Sequence, residues 1–487
     1  MHEVPAPVPD EARISGRTWL ALAAMAVGVF VIANDFTALS VAIPQIESQL
    51  HTTLSKAQWV INGYALVFGV MIVTGGRLAD MFGRKRAFVA GALAFGFFSL
   101  LSGLMPNVGL LIACRALMGL GGAVMWPAIL GLTYAILPAS KKGLAGGLII
   151  GVAGLGNAVG PLLGGWLTDA VTWRLVFFIN LPVTAFAILA TVREVPESRP
   201  AAGERGIDYP GIALLSGGAV ALLLALDLGT GGGFGRPLII ALFAAGGGLL
   251  GSFFMVERRQ GAIALVPGDV LRNRTFSAAS GTVLLMSAIF FAALLYLPQF
   301  LERSLGFSAL RAGAGLLPLM GAFALTSFAA GAVYGRVGPR IAVPAGAALL
   351  AAGTFLLSGL SAQSGYSSLV PGMVVLGLGV GLFYSSVTTA AVTALDPARA
   401  SLAGGIVYMC QIAGGAIGLG LNTAIVLSAS SLVAGIRVAF RVDAALALLG
   451  LAVALAFVRG PRRPAVPADS APAHHRVRAL AGGGPRS

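Results

Sequence analysis

Gly75-Gly-Arg-Leu-Ala-Asp80-Met-Phe-Gly-Arg-Lys-Arg86 closes one apolar run and opens the short connection before the next. Three of its positions return 255 residues later, where Gly76, Asp80 and Gly83 become Gly331, Gly335 and Gly338. Further out, Gly119-Leu-Gly121 returns as Gly377-Leu-Gly379, and Leu144-Ala-Gly-Gly147 as Leu402-Ala-Gly-Gly405, both at an offset of 258. Any one match is cheap in a chain with 68 glycines. Three in order at nearly constant spacing predict two halves of one repeat in the same orientation. Parallel repeats around a midplane site are a transporter architecture.

Composition fixes the setting. Of 487 residues, 57% are hydrophobic and only 10% charged, where a soluble domain carries about a quarter charged. Most runs are apolar on every side, which excludes the alternation of a β-barrel and predicts an all-α integral membrane protein. Fourteen runs reach the length of about 20 residues that a ~30 Å hydrocarbon core requires. The first six cover about 18–42, 57–80, 87–105, 108–130, 144–168 and 173–192; two follow at 209–229 and 237–256. The last six cover 276–300, 309–334, 340–361, 367–393, 401–427 and 438–458. The domain reading is therefore a six-helix bundle over 1–200, two inserted helices over 201–262, a second six-helix bundle over 263–460, and a Pro/Ala/Arg-rich tail over 461–487 expected to be cytoplasmic and disordered.

The net charge of +14 does not point to nucleic acid. Of the 32 Lys and Arg, 24 fall in connections and termini on one side, seven on the other, and Arg115 within a run. That asymmetry predicts both termini in the cytoplasm. Met1–Arg17 is polar and carries Glu3, Asp10 and Glu11, so it reads as retained rather than as a cleaved leader. Cys114 and Cys410 lie within runs and read as packing residues. The four histidines show no metal-ligand spacing, and no lysine follows a glycine, so there is no phosphate-cradling loop. No cofactor is expected; an ion gradient must supply the energy.

The polar residues inside runs carry the chemistry. Asp35, in Val31-Ile-Ala-Asn-Asp35-Phe-Thr-Ala-Leu-Ser-Val-Ala-Ile-Pro44, lies deep in the first run, where a carboxylate costs several kcal/mol unless protonated, paired or wetted. Arg115 in run four lies at similar depth, so the two can relieve each other's desolvation. Pairing favours the charged carboxylate, and separation or substrate entry favours the protonated one; a static structural pair is the alternative. In the opening stretch, Gly76 permits close helix approach and Gly83 a sharp turn. Asp80 can accept from Arg84 or a facing helix N-terminus, forming a latch that closes the cytoplasmic side. Gly156, Gly160 and Gly164, with Gly165 beside them, make a smooth stripe on run five, and Pro161 is expected to bend it. Trp173, Arg174 and Asn180 read as interfacial anchoring. The second half offers no clear membrane acid beyond Glu302 at a helix end, and Asp227 reads as interfacial.

Together these stretches resemble the major facilitator superfamily, and specifically its 14-spanning drug:proton antiporters. Asp35 with Ala42 and Pro44 matches that family's first-helix motif, Gly76–Arg86 its loop motif, and Arg115 with Gly119 and Gly121 its fourth-helix motif. Gly160-Pro161 with Gly164-Gly165 matches the antiporter motif, and Trp173-Arg174, Asn180 and Pro182 the start of helix six. The likeness covers about residues 15–460. It implies two six-helix bundles around a central cavity and proton-coupled efflux of an amphipathic, cationic or neutral small molecule across the cell membrane; a monomer is the default expectation, which the sequence does not decide. Asp35 would carry the proton and Arg115 tune it. Asp80 and Arg84 would latch the inside, and Gly160-Pro161 would shape the seal. The expected cavity lining is apolar with Asn34, Trp126, Gln299, Tyr384 and Gln411 as polar handles. A metabolite or lipid exporter, a solute symporter of the same fold and a non-transporting membrane sensor remain as alternatives. Enzyme readings fail for want of a nucleophile–base pair or a metal set.

Overall fold

The computed structural model describes residues 15–138, 141–197, 208–232, 235–260, 264–361 and 363–458. The tail expectation for 461–487 and most of Met1–Arg17 lie outside the described residues. Eighteen α-helices follow one another among the described residues. They are α1 (Gly16–Ala38), α2 (Ile43–Gln49), α3 (Leu54–Phe82), α4 (Arg84–Leu104), α5 (Val108–Ile136) and α6 (Lys142–Ala170). Next come α7 (Leu175–Phe178), α8 (Asn180–Glu194), α9 (Tyr209–Gly232), α10 (Pro237–Gln260), α11 (Gly268–Arg272) and α12 (Arg274–Arg303). The last are α13 (Ala309–Ala314), α14 (Leu317–Val337), α15 (Pro339–Leu357), α16 (Tyr366–Thr393), α17 (Ala400–Ser428) and α18 (Leu432–Phe457). Fourteen segments are long and apolar enough to cross a membrane, as expected, with α7–α8 and α13–α14 each making one span. The protein is a multi-pass membrane protein.

Local chemistry sets the helix ends. Ser15, Thr53, Asn107, Asn273 and Ser431 each cap a helix by accepting a backbone N–H of its first turn. Gly83 (φ +103°) and Gly338 (φ +73°) turn the chain between α3 and α4 and between α14 and α15, a conformation other residues resist. Within spans, Thr133, Thr184, Ser287 and Thr354 donate back to carbonyls one turn earlier, so these hydroxyls need no outside partner.

Boundaries depart from expectation in three places. α1 stops at Ala38 rather than 42; residues 39–42 form a turn, and Pro44 sits in the first turn of α2, where its missing N–H costs nothing. α5 runs on to Ile136, drawing Thr133 and Tyr134 into the bundle. α18 begins at Leu432, six residues before the expected 438.

Packing sorts the spans. In the first group α1 lies on α6 and α8, and α5 on α3 and α4; in the second α12 lies on α17 and α18, and α16 on α14 and α15. The groups meet where α3 crosses α17 and α14 crosses α6, with α17 also on α5 and α16 on α6. α9 and α10 pack together, and α9 leans on both α3 and α17. α16 is 72% buried and α10 only 17%, so α16 is interior and α10 peripheral. With an even number of spans, α1 starts and α18 ends on one face of the bundle, here the terminal face.

Candidate functional site

Asp35 on α1 and Arg115 on α5 face each other with no exposed side-chain surface. Arg115 Nη1 donates to Asp35 Oδ2 at 2.5 Å, and its Nε donates to the Val60 carbonyl of α3 at 2.9 Å. The guanidinium also lies 4.3 Å from the centre of the Tyr64 ring, a cation–π contact in a dry setting. On the other oxygen, Asn180 Nδ2 of α8 donates to Asp35 Oδ1 at 3.3 Å and to Ser99 Oγ of α4 at 3.1 Å. Ser99 donates onward to the Phe177 carbonyl at 2.9 Å. Helices α1, α5 and α8 thus meet at the carboxylate, and α3, α4 and α7 hold its partners. Asn180 is therefore part of this site, not an interfacial anchor; as a neutral residue beside Trp173 and Arg174 it gave no charge signal. Arg115 Nη2 and Tyr64 Oη are buried without hydrogen-bond partners, leaving two donors able to meet a guest or water. Removing either ion would leave the other buried and uncompensated.

The expectation for Trp173 also changes. It is fully buried and donates from Nε1 to Gln49 Oε1 at 2.8 Å, holding α2 down. Arg174 stacks on its ring at 4.4 Å and donates to the carbonyls of Gly103 and Met105.

At the terminal face, Asp80 near the end of α3 accepts from Arg84 Nε at 2.8 Å and from the amides of Ser401 (3.3 Å) and Leu402 (2.9 Å). Both expected partners are present, because those amides belong to the first turn of α17, the positive end of its dipole. Arg84 also donates to the Gly131 carbonyl at 3.2 Å and the Pro397 carbonyl at 2.5 Å, so it touches both groups. A Cβ on Gly76 would lie 2.6 Å from the Ser401 carbonyl oxygen, which is why only hydrogen fits there. Tyr134 and Thr389 add a 3.0 Å hydroxyl pair across the same seam.

The helix α6 has two glycine faces. Nearer the terminal face, Gly143, Gly147 and Gly154 meet α14 of the second group; beyond them, Gly156, Gly160 and Gly164 press on Phe30–Ala38 of α1. Gly165 meets only Val41 at ordinary contact, outside the stripe. The helix continues unbroken through Pro161.

The five expected cavity residues do not share one chamber. Asn34 is buried beside Asp35 with Oδ1 unpartnered. Trp126 of α5 stacks on Tyr408 of α17 at 4.3 Å, and its Nε1 is buried without a partner. Tyr384 pairs with Ser287 at 2.7 Å on the second group's own interior. Gln299 and Gln411 are half-buried. An apolar cavity of about 270 Å³ lies elsewhere, between α3, α9, α12 and α17, lined by Trp59, Leu66, Leu223, Phe291, Ile412 and Leu419. Helix facing explains the difference: spans apolar all round carry no periodicity to say which side turns inward. A chain of rings links the two groups instead, from Tyr64 and Phe36 through Phe68 to Trp126 and Tyr408.

The second group does hold an intramembrane acid, contrary to expectation. Asp443 of α18 is fully buried and accepts from Asn422 Nδ2 of α17 at 3.1 Å. Glu302 is exposed near the end of α12, and the side chain of Asp227 lies outside the described residues.

Comparison with known proteins agrees with this architecture. The sequence pattern of the Major Facilitator Superfamily matches residues 25–419 and, in a second overlapping match, 278–483. The chain is 34% identical to the tetracenomycin C resistance and export protein of Streptomyces glaucescens, over 83% of this chain and 75% of that protein. It is 32% identical to a multidrug resistance protein B homolog of Mycobacterium tuberculosis, over 81% and 74% of the two chains. The crystal structure of the human organic anion transporter MFSD10 superposes with a TM-score of 0.63, covering 90% of this chain and 99% of that one at 14% identity, a likeness of fold.

Proposed function

The chain belongs to the major facilitator superfamily, and from that premise we propose that it exports amphipathic small molecules in exchange for protons by alternating access. The relatives at about a third identity are named for resistance and export, which supports efflux of drug- or antibiotic-like compounds. The observation that carries the coupling is the Asp35–Arg115–Asn180 cluster. A carboxylate of α1 held from α5 and α8 and buried between them changes its interactions whenever those helices shift. In the present state Arg115 is the counter-ion of Asp35; parting the pair, by a guest or by helix motion, leaves the carboxylate without its counter-charge, a place that a proton can take.

Asp80 and Arg84 act as the latch of the terminal face, releasing the α17 amides when that face opens. Gly156, Gly160 and Gly164 let α6 and α1 move as one piece. Trp126, Tyr408 and the unpartnered donors nearby offer stacking and hydrogen bonds to a planar or amphipathic substrate of cationic or neutral charge. The Lys/Arg distribution supports a cytoplasmic terminal face in a cell-membrane protein, with the monomer as the working unit.

Purified protein in liposomes with an imposed pH gradient provides the test, with a lipophilic cationic dye as the probe. Wild type should accumulate the dye and Asp35→Asn should not, a loss of tenfold or more if each rejected proton removes at least about 1.4 kcal/mol of drive. Gradient-driven accumulation surviving in Asp35→Asn would remove the coupling role from α1.

A further inference from the structure

Asp443 is a fully buried carboxylate eleven residues into the last span, and its surroundings are the opposite of those of Asp35. Among the described residues no cation pairs with it. Its Oδ1 accepts from Asn422 Nδ2, which donates also to the Gly418 carbonyl at 2.9 Å. Its Oδ2 is buried without a partner, and so is Asn422 Oδ1. Two orphaned acceptors on one pair of side chains share a single remedy: a proton on Oδ2, donated to Asn422 Oδ1, closes an acid–amide pair with two hydrogen bonds. An isolated carboxylate in this setting would cost far more than an acid.

The groups around it supply no rival counter-charge. From α12 the titratable group that interacts with Asp443 is Tyr296, whose hydroxyl pairs with Thr423 Oγ1 at 2.7 Å. α17 contributes only Asn422 and Thr423 here. α15 carries its single base, Arg340, near its start at the terminal face. On α18 itself, Arg441 is exposed and two residues away, on another side of the helix, and Arg437 lies six residues away.

We propose that Asp443 and Asn422 form a proton-binding site of the second group: Asp443 is a neutral acid sharing its proton with Asn422 while the terminal face is closed, and it releases that proton to water when α17 moves. The link to the cycle is α17 itself. Asp80 grips its first turn, and Asn422, the acid's hydrogen-bond donor, rides on its last third. Release leaves a carboxylate that still accepts the Asn422 N–H. This role rests on the alternating-access reading above; of its test, only the Asp80 arm shares that premise.

The test is infrared difference spectroscopy on the full-length protein in lipid. Wild type minus Asp443→Asn, which keeps the side-chain shape, should show the carbonyl stretch of a protonated carboxylic acid at neutral pH. Asn422→Ala should retain that band but move it to higher frequency, as a lost hydrogen bond requires. Asp80→Asn, which frees α17, should weaken or abolish it. Absence of the band in wild type would mean a charged Asp443 and overturn the proposal. So would an unmoved band in Asn422→Ala, or a band of full strength in Asp80→Asn, which would mark a fixed structural acid. Because the signal is the acid's own vibration, failure of dye transport leaves these outcomes readable.

Discussion

α3 crosses α17, and α14 crosses α6, at equivalent points of the two repeats, and the backbone distances agree closely. At the first crossing a Cβ on Gly76 would lie 2.6 Å from the Ser401 carbonyl oxygen and one on Gly405 2.8 Å from that of Ile72. At the second, a Cβ on Gly331 would lie 2.7 Å from the Gly143 carbonyl oxygen and one on Gly147 2.7 Å from that of Ser327. The charges do not repeat. Where the first crossing has Asp80 and Arg84, the second has Gly335 and Pro339. Close approach is thus a property of the fold, repeated with the repeat. Gly335 and Pro339 cannot repeat the Asp80–Arg84 contact, which can be made and broken without altering the packing beneath it.

The comparison breaks most visibly at Asp80. Asp80→Ala strands a buried Arg84 and removes the acceptor of two α17 amides, at about 3–5 kcal/mol. Spin-label distances between the terminal ends of α3 and α17 should then show a predominantly open population; a closed one would mean that glycine packing alone holds the face.

Gly76→Ala and Gly331→Ala test the packing itself. Each forces a methyl against a carbonyl, about 1–3 kcal/mol, and thermal unfolding in detergent should place both in the same range. A large inequality would show that the two crossings bear different loads. The smallest effect is the most specific. Gly335→Asp sets an acid toward the first turn of α6, where nothing lies within 4 Å of a Cβ. It should favour the closed population by about 0.3–1 kcal/mol, seen as shorter spin-label distances between α14 and α6.

The repeat, the span count and the Asp35–Arg115 pair could all be read in the sequence, because each leaves a mark that survives without coordinates. Glycine clusters keep their offset, and two charges within apolar runs stand out at matching depth. Asn180 left no such mark: it is neutral, and the adjoining Trp173 and Arg174 offered a sufficient reason for the stretch. Asp443 was hidden by a boundary. A run starting at 438 puts it near an end beside Arg441, whereas α18 starts at Leu432 and carries it eleven residues in. The facing of Trp126 and Tyr384 could not be read, because α5 and α16 have no polar side to orient them.

The sealing of Asp35 and Arg115 has a consequence for the cell that carries the protein. Neither side chain of the pair has exposed surface in this state. Under the coupling proposed above, a protein resting in this form is an insulator: many copies can wait in one membrane without leaking current, and conduction begins only when a passenger or a shape change parts the pair.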